Sequence, residues 1–391
     1  MKKCILWVDE NQRSKNMSNS QALYTRIRMR VEPLVSVTNR KQLTNWVWII
    51  VGIILSESIA LSKIATAIPK EVAAESRVMT IRRWLKNSKI DVWTFYEPIL
   101  KAALQGWKAV NAEVILDGVS VFGDRMQIFR LSLRHGNRAI PLGWTVIAGK
   151  GLTQVEKLES MLSRVAKFLK PRVKRVIFSA DRGFRDCDWA EQCLKLGWHY
   201  DIRVACNTYV TLLNGTNCRI DELKFKAGSC RYFQQVQLTQ DKKLLTHLSL
   251  TWSKGDAKNK PELVAVISDR KACRSRLIEY GERMDIEQSF RDDKSAGFEM
   301  AHTRIQHVDR LERLLLALAI ATLWCHELGE FVLDSDDSLR RQIDPGHTRQ
   351  LSLFQLGLRW LKRCLFTQLQ PIPAFLLCIR PFKLAPLCNS G

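Results

Sequence analysis

The sequence predicts a mixed α/β fold in which an all-helical N-terminal part precedes a core of alternating strands and helices. Residues 1–109 look helical, and residues 206–275 alternate short strands with turns. Between them, residues 110–205 follow the order of three strands, a helix, a strand, a helix and a strand. The chain has 391 residues, of which 46% are hydrophobic, so it can bury a large core.

The N-terminal helices are basic in their second half. Residues 43–65 have the composition of a core helix, and Pro69 breaks the chain after it. Residues 72–85 then place Ile81 and Trp84 on an apolar stripe, with arginines elsewhere on the helix. We expect residues 1–109 to form a helical DNA-binding domain whose basic face lies on phosphates. A solvated basic face without a partner fits the same pattern equally well.

The order of the core elements predicts how the sheet is built. In chain order, strands are predicted at 114–116, 127–134, 139–147, 175–178 and 200–204, with helices at 152–169 and 185–196. This is the order of the ribonuclease H-like fold, an α/β architecture with a mixed sheet. In that order the first and fourth strands are neighbours at the centre of the sheet.

The second half of the chain predicts a β-rich insertion followed by helices. Strands of the insertion are predicted at 231–238, 248–252 and 263–267. The following elements are predicted as a helix at 274–295, an apolar helix at 308–328, a polar loop at 334–350 and a helix at 351–369. We therefore divide the chain into a helical domain at 1–109, a ribonuclease H-like catalytic domain at 110–335 with its insertion at about 206–275, and a C-terminal helical region at 336–391.

The charge of the chain predicts a polyanionic partner. The formal net charge is +22 and the pI is near 9.7, and an excess of that size repels itself in a compact protein. Nucleic acid is the leading partner. An anionic membrane surface fits less well, because the basic residues are spread along the chain. The third alternative is that the protein is basic without binding a polyanionic partner.

The cysteines and the N-terminus predict a reducing, cytoplasmic location. The eleven cysteines are irregularly spaced and include no Cys-x-x-Cys pair, so a disulfide framework is not expected. The apolar patch at 4–8 is too short for an export signal, and the apolar run at 46–55 is too short for a membrane span.

Two aspartates follow the strands that this fold makes neighbours. Asp117 ends the first strand, and Asp181 lies just past the end of the fourth. Each by itself has an ordinary explanation, since Asp is frequent in turns after strands and at helix starts. The carboxyl ends of neighbouring strands lie side by side, however, and open α/β sheets bind ligands there. We therefore expect the two carboxylates to meet.

A third carboxylate is predicted by the geometry of the helix at 274–295. At about 100° per residue, four side chains fall within about 60° of one another: Tyr280, Arg283, Glu287 and Lys294. A metal ligand flanked by phosphate-binding groups has this composition. A solvated helix face with ion pairs between turns has it too.

These residues resemble a known family. The spacing Tyr280-x2-Arg283-x3-Glu287-x6-Lys294 matches the signature of the insertion sequence four family of bacterial DDE transposases. Ile-Leu-Asp-Gly at 115–118 and Ser-Ala-Asp-Arg-Gly-Phe at 179–184 resemble its first two acidic motifs. Residues 356–361 are similar to its C-terminal helix, and the resemblance covers about residues 40–370. Val119 departs from the family, which often has a hydroxyl residue beside the first ligand.

The resemblance implies a DNA transposase that cleaves and joins DNA at the ends of an insertion sequence by cut-and-paste transposition. Its catalytic, metal-binding residues would be Asp117, Asp181 and Glu287. Two Mg²⁺ ions fit such oxygen ligands, and Mn²⁺ can substitute. No covalent protein nucleophile is required.

The resemblance also implies how DNA is held. Tyr280 and Arg283 would contact phosphates near the cut end, and Lys294 the transferred strand. Trp252 is a candidate to stack on a flipped base, although a tryptophan in a sheet core is at least as common. The partners would be double-stranded DNA, as terminal inverted repeats and as target, and a second copy of the chain in a DNA-bound homodimer. The expected location is the bacterial cytoplasm, at the nucleoid and not at a membrane.

Two other functions remain open from the sequence. A transposase-derived protein that has lost catalysis could bind DNA only, but it would have no use for three carboxylates. A ribonuclease H-like nuclease would share the metal site, but it would not need the Tyr280, Arg283 and Lys294 stripe.

Overall fold

A computed structural model gives the structure of the chain. It describes residues 18–36, 39–107, 110–135, 138–149, 155–184, 187–226, 228–239, 243–252, 261–281, 298, 303–367 and 375–379. The following statements concern these residues.

The N-terminal part is helical, as predicted. Its helices are α1 (Asn19–Val31), α2 (Arg40–Ser56), α3 (Leu61–Thr66), α4 (Ala74–Lys86) and α5 (Val92–Ala103). The single helix expected at 43–65 is wrong, because the chain turns between α2 and α3. Glu57 ends α2 in the left-handed conformation, with φ of 50°. The Ile59 N–H then bonds to the Phe298 carbonyl instead of continuing a helix.

The core is one mixed sheet of ten strands. The strands are β1 (Asn111–Val121), β2 (Met126–His135), β3 (Arg138–Ala148), β4 (Arg175–Ala180), β5 (His199–Val204), β6 (Tyr209–Thr211), β7 (Asn217–Arg219), β8 (Cys230–Leu238), β9 (Leu244–Trp252) and β10 (Leu263–Ser268). Their order across the sheet is β3-β2-β1-β4-β5-β10-β9-β8-β6-β7. The predicted neighbours β1 and β4 are indeed adjacent, and β1, β4 and β5 pair in parallel.

The strand β1 is longer than the sequence predicts. Its parallel pairing with β4 ends at Leu116 and Ala180, but its antiparallel pairing with β2 continues to Val121 and Met126. The expectation that Asp117 ends its strand is therefore wrong. Asp117 lies instead at the step where β1 leaves β4 and continues as a two-stranded ribbon with β2.

The insertion does not form a separate sheet. Its strand β10 pairs antiparallel with β5, with Ala265 opposite Val204, and so extends the core sheet by five strands, β10, β9, β8, β6 and β7. Two helices connect the central strands, α6 (Glu159–Leu169) before β4 and α7 (Cys187–Lys195) before β5. Helix α8 (Arg274–Gly281) follows β10.

A long helix forms the centre of the hydrophobic core. Helix α9 (Val308–Asp334) packs against α2, α4, α5 and β3 and against α11 (Leu353–Thr367). Among the described residues it alone is long and apolar enough to cross a membrane, but 89% of its most apolar window is buried inside the protein, as in a core helix. Arg313 joins it to the N-terminal part, since its guanidinium donates to the carbonyls of Leu85 and Ile90 at 2.8 and 3.1 Å.

The segment between α9 and α11 is partly helical. The loop predicted at 334–350 is wrong over its first part, where α10 (Asp337–Arg341) forms. Asp336 caps this helix by accepting from the Ser338 N–H at 3.4 Å, and Asp337 pairs with Arg340 at 2.8 Å. Local capping and ion pairs thus stabilise a short helix that has no apolar periodicity to reveal it.

Helices α9 and α11 approach too closely for side chains at their crossing. A Cβ at Gly357 would lie 1.8 Å from the Cys325 carbonyl oxygen, and a Cβ at Gly329 would lie 2.0 Å from the Leu353 carbonyl oxygen. Backbone atoms cannot move aside as a flexible side chain can, so both positions require glycine.

We predict that Gly357→Ala lowers the free energy of unfolding by about 1–3 kcal/mol, because the added methyl forces the two helices apart. Urea unfolding measures the change. Gly106→Ala is the matched control, since a Cβ at Gly106 would meet nothing within 4 Å. Equal stability of the two variants would contradict the close crossing.

Candidate active site

The sheet brings Asp117 and Asp181 side by side. Leu116 of β1 and Ala180 of β4 are direct partners in the parallel register, and each aspartate is the next residue along its strand. Neighbouring strands lie about 5 Å apart, so the two backbones are adjacent at this point. Both aspartates are half-buried. The backbone register thus places the two aspartates next to each other at one edge of the sheet, as predicted.

Each carboxylate is oriented by a hydrogen bond from a following glycine. The Gly118 N–H donates to Oδ1 of Asp117, and the Gly183 N–H donates to Oδ1 of Asp181, both at 2.8 Å. Gly183 also leaves room for the carboxylate, because a Cβ there would lie 2.9 Å from Oδ1 of Asp181. A side chain at this glycine of the Ala-Asp-Arg-Gly-Phe motif would therefore displace the Asp181 carboxylate from its hydrogen bond.

Aromatic rings support the turn that carries Asp181. The Phe184 ring contacts Phe129 edge-on with centroids 5.9 Å apart, and contacts Trp189 edge-on at 5.2 Å. Trp189 stacks in turn on Phe178 of β4 at 6.2 Å. Phe129 is opposite Gly118 in the pairing of β1 with β2, and a Cβ at Gly118 would lie 2.8 Å from the Phe129 ring. This one cluster of contacting rings therefore packs against the backbone next to both aspartates.

Two arginines border the site. Arg182 follows Asp181 and is exposed, and Arg203 lies on β5 just beyond the residue paired with Ala180. Both pair with Glu262, Arg182 at 3.5 Å and Arg203 more closely. The two guanidinium groups therefore lie at the same edge of the sheet as the two aspartates.

The two aspartates fit a divalent cation. Carboxylate oxygens are the ligands that hard divalent cations prefer, and adjacent carboxylates repel each other unless a cation lies between them. Among the described residues, no group of three or more His, Cys, Asp or Glu side chains forms a metal site. The predicted third ligand, Glu287, lies outside the described residues, as do Arg283 and Lys294.

The helix predicted to carry Glu287 begins as α8. Tyr280, the first residue of the predicted stripe, lies in its last turn and is buried at 6% relative exposure. The contact of Tyr280 with a phosphate stays a prediction. Because so little of the side chain is exposed, only a small part of the ring could make that contact.

A buried ion-pair network fixes α8 against the sheet. Asp201 of β5 is fully buried and pairs with Arg270, whose guanidinium also bonds to Glu279 at 2.8 Å. Arg276 binds the same Glu279 carboxylate at 2.9 Å. The side-chain amide of Gln234 holds the turn before α8, bonding to the carbonyl and the N–H of Ala272 at 2.9 and 3.0 Å. Strand β5 and strand β8 therefore both position the start of this helix.

The far end of the Glu287 segment is anchored as well. Phe298 is fully buried, its ring meets Phe354 of α11 at 5.2 Å, and its carbonyl accepts the Ile59 N–H at 3.1 Å. Tyr280 before residues 282–297 and Phe298 after them are thus both buried in the protein.

Trp252 lies at the end of β9, on the insertion. It is half-buried, pairs with Leu263 of β10 and contacts the Phe225 ring at a centroid distance of 6.4 Å. Its carbonyl accepts the Gly228 N–H at 3.2 Å. The ring therefore packs partly against the protein core and partly at the surface, and its predicted stacking on a base stays a prediction.

Sequence reasoning missed the network of Asp201, Arg270 and Glu279. One signal was present, because Asp201 lies between Tyr200 and Ile202 in a predicted strand, and a buried charge requires a partner. Its partner Arg270 is 69 residues away, which no local pattern specifies.

Burial gives Asp201 an unusual titration. It raises the pKa of this carboxyl from 3.8 to about 7, against the opposing effect of Arg270. Between about pH 4 and pH 7 the folded protein therefore holds a proton that the unfolded chain has released. The stability contributed by this proton is complete below about pH 4 and is lost as the pH rises through about 7.

We predict that the free energy of unfolding of the wild type, relative to Asp201→Asn, falls steadily from pH 5 to pH 7. The variant has no titrating group at this position, so the difference isolates Asp201. Urea unfolding at several pH values measures it. A difference that rises with pH would mean that ionised Asp201 stabilises the fold through Arg270.

The comparisons with known proteins identify the domain. The family model of the transposase DDE domain matches residues 155–324. The match includes Asp181 and Glu287 and begins after Asp117. No curated protein matches the chain.

Two solved structures are distantly similar. The piggyBac transposase synaptic complex with hairpin DNA has 10% identity and a TM-score of 0.41, over 88% of this chain and 76% of that chain. The Marinitoga piezophila Argonaute in complex with guide RNA and target DNA has 8% identity and a TM-score of 0.23, over 54% of this chain and 30% of that chain. At these TM-scores neither similarity supports an argument.

The match to the transposase family model, which includes Asp181 and Glu287, is therefore what assigns the function. DDE transposases generally use divalent metal ions, and the adjacent aspartates fit such an ion. Residues 155–324 match the transposase DDE domain, and the chain is a DNA transposase, an enzyme that cleaves DNA and transfers the cut strand.

Proposed function

We propose that this transposase moves an insertion sequence by cut-and-paste transposition and that it is a member of the insertion sequence four family. The register of β1 and β4, which brings Asp117 and Asp181 together, carries the proposal. The Tyr280, Arg283, Glu287 and Lys294 spacing supports the assignment to this family.

The catalytic core is proposed to be ribonuclease H-like. Three antiparallel strands are followed by two parallel strands, and the order β3-β2-β1-β4-β5 supports this assignment. The five strands of the insertion then extend the same sheet beyond β5.

Asp117, Asp181 and Glu287 are proposed to hold two Mg²⁺ ions, with Mn²⁺ as a substitute. When bound, two such ions activate a water or 3′ hydroxyl and stabilise the leaving oxygen of a phosphodiester. The hydrogen bonds from Gly118 and Gly183 orient the two aspartates before DNA arrives. Arg182 and Arg203 supply positive charge beside the phosphate that is cut.

DNA is proposed to lie along the segment between Tyr280 and Phe298. Arg283 and Lys294 would contact its phosphates, Tyr280 would contribute where its ring reaches the surface, and Trp252 would receive a base. The substrates would be the terminal inverted repeats and the target duplex, in the bacterial cytoplasm at the nucleoid. The net charge of +22 supports such a polyanionic partner.

We predict that Asp117→Asn, Asp181→Asn and Glu287→Gln each abolish Mg²⁺-dependent cleavage of DNA that carries the transposon ends. Each change removes a charged ligand, whereas affinity for DNA comes mostly from phosphate contacts and should change little. Cleavage on denaturing gels and binding by fluorescence anisotropy measure the two effects.

The matched control for these variants is Glu159→Gln, which removes an exposed carboxylate in the first turn of α6. It should cleave as the wild type does. Full cleavage by Glu287→Gln would show that the third ligand is a different residue.

The active assembly is proposed to be a homodimer on two transposon ends. Two ends must be cut and joined to one target, and a two-fold dimer is the simplest arrangement of two active sites. Two chains of charge +22 repel each other until phosphates neutralise them, so the free protein is expected to be monomeric.

We predict that native mass spectrometry finds one chain without DNA and two chains with two end duplexes when DNA is added. Strand transfer by a single chain on a single end would disprove the assembly.

A further inference from the structure

A buried cation lies on the sheet beside Asp117. Arg130 of β2 is only 7% exposed, which is rare for a charged side chain. In the pairing of β1 with β2 it is directly opposite Asp117. Directly opposite residues of antiparallel strands lie on the same face of a sheet, with their Cβ atoms about 4.5–5.5 Å apart. The guanidinium and the carboxylate are therefore carried by neighbouring positions on one face.

Helix α9 covers this face of the sheet around Arg130. A cavity of about 20 Å³ is lined there by Arg130, by Trp144 of β3 and by residues of α9 that include Leu318 and Thr322. So small a space holds about one water molecule and no hydrated counter-ion. Trp144 is opposite Arg130 on its other side, and its Nε1–H donates to the carbonyl of Glu312 at 3.1 Å. Strand β3 and helix α9 therefore enclose the Arg130 side chain.

Arg130 has a charged neighbour across the sheet on the side of β1. Of its two partners in the strand pairing, Trp144 is neutral and Asp117 is charged. Glu312 of α9 serves a different group, since its Oε1 accepts the Val146 N–H at 2.9 Å. A buried guanidinium destabilises a protein unless hydrogen-bond acceptors, best of all a carboxylate, satisfy it. The register thus favours Asp117 as the carboxylate that balances this buried charge.

The Asp117 carboxylate needs a second contact to be fixed in orientation. Its Oδ1 accepts the Gly118 N–H at 2.8 Å, and one such bond leaves the carboxylate able to turn about it. The Phe129 ring is opposite Gly118, the next position along β1, and therefore lies on the other face of the sheet. A guanidinium presents a planar fork of donors that matches a carboxylate, so Arg130 can supply the second contact from the α9 face.

We propose that Arg130 is a positioning residue for the reaction: its guanidinium pairs with the Asp117 carboxylate and holds it in the orientation that receives a divalent cation. The proposal rests on the proposed function, in which Asp117 is a metal ligand. A guanidinium beside a metal ligand has two opposing effects. It orients the carboxylate, which favours catalysis, and it repels the divalent cation, which lowers metal affinity. Loss of its charge should therefore strengthen metal binding and slow cleavage.

The pairing is tested without metal by a double-variant cycle. Thermal unfolding in EDTA is measured for Asp117→Asn, for Arg130→Met and for the two changes together. Each single change leaves the other charge of the pair unmatched and should lower Tm by about 2–6 °C. The double variant should unfold close to the single variants, because the second change removes a charge that has already lost its partner. Asp181→Asn with Arg130→Met is the matched control, in which the two shifts should add.

The positioning role is tested with Mn²⁺. Binding of Mn²⁺ to the DNA-free protein, measured by electron paramagnetic resonance of the free ion, should be roughly threefold to tenfold tighter in Arg130→Met. The same variant should cleave end-bearing DNA roughly tenfold or more slowly at saturating Mn²⁺. Arg130→Lys keeps the charge but not the fork, so it should bind Mn²⁺ as the wild type does and recover part of the rate. A purely structural role would lower metal affinity and rate together. If Arg130→Met does not fold, Arg130→Gln takes its place in both tests.

Additive Tm shifts in the Asp117 cycle would overturn the pairing, and so would coupling of Arg130→Met to Glu287→Gln in place of Asp117→Asn. An unchanged or lower Mn²⁺ affinity of Arg130→Met, or a wild-type rate of cleavage, would overturn the positioning role. Coupling of Arg130 to Asp117 in a wild-type protein that does not cleave DNA would count against the proposed function. Normal cleavage without that coupling would count against the role of Arg130 alone.

Discussion

The hydrogen bonds between β1 and β4 determine whether Asp117 and Asp181 lie side by side. Their parallel register makes Leu116 and Ala180 partners, so Asp117 and Asp181 follow at the same level of the sheet. A slip of one residue would turn one aspartate to the opposite face and separate the carboxylates. The apolar residues of both strands oppose such a slip, because it would expose buried side chains such as Leu116 and Phe178 to water. The core packing of the sheet thus fixes the geometry of the two aspartates.

The insertion positions the start of α8 through the same sheet. Since β10 pairs with β5, the turn at 269–273 returns the chain to the core, where Asp201 binds Arg270. Arg270 in turn holds Glu279 at the start of the segment that carries Glu287. The extension of one continuous sheet thus holds the start of α8 against the core.

Much of this arrangement could be predicted from the sequence because it depends on local patterns. Apolar runs and turns located β1 to β5 in the right order, and the position of Asp181 after its strand followed from Arg-Val-Ile-Phe and the polar residues beyond it. The failures have non-local causes. The break at Glu57 depends on a hydrogen bond to Phe298, and the extension of β1 past Asp117 depends on pairing with β2. The role of Arg270 is visible only in the structure, where Asp201 lies beside it, because no local sequence pattern specifies this pair.

The sheet holds the two aspartates in place before any ligand binds. Asp117 and Asp181 follow paired residues of β1 and β4, and the N–H groups of Gly118 and Gly183 bond to their carboxylates. Such preorganisation matters in catalysis because misplaced groups stabilise a transition state less. The helical part is fixed to the same core, since Arg313 of α9 bonds to the carbonyls of Leu85 and Ile90 and α9 packs on β3.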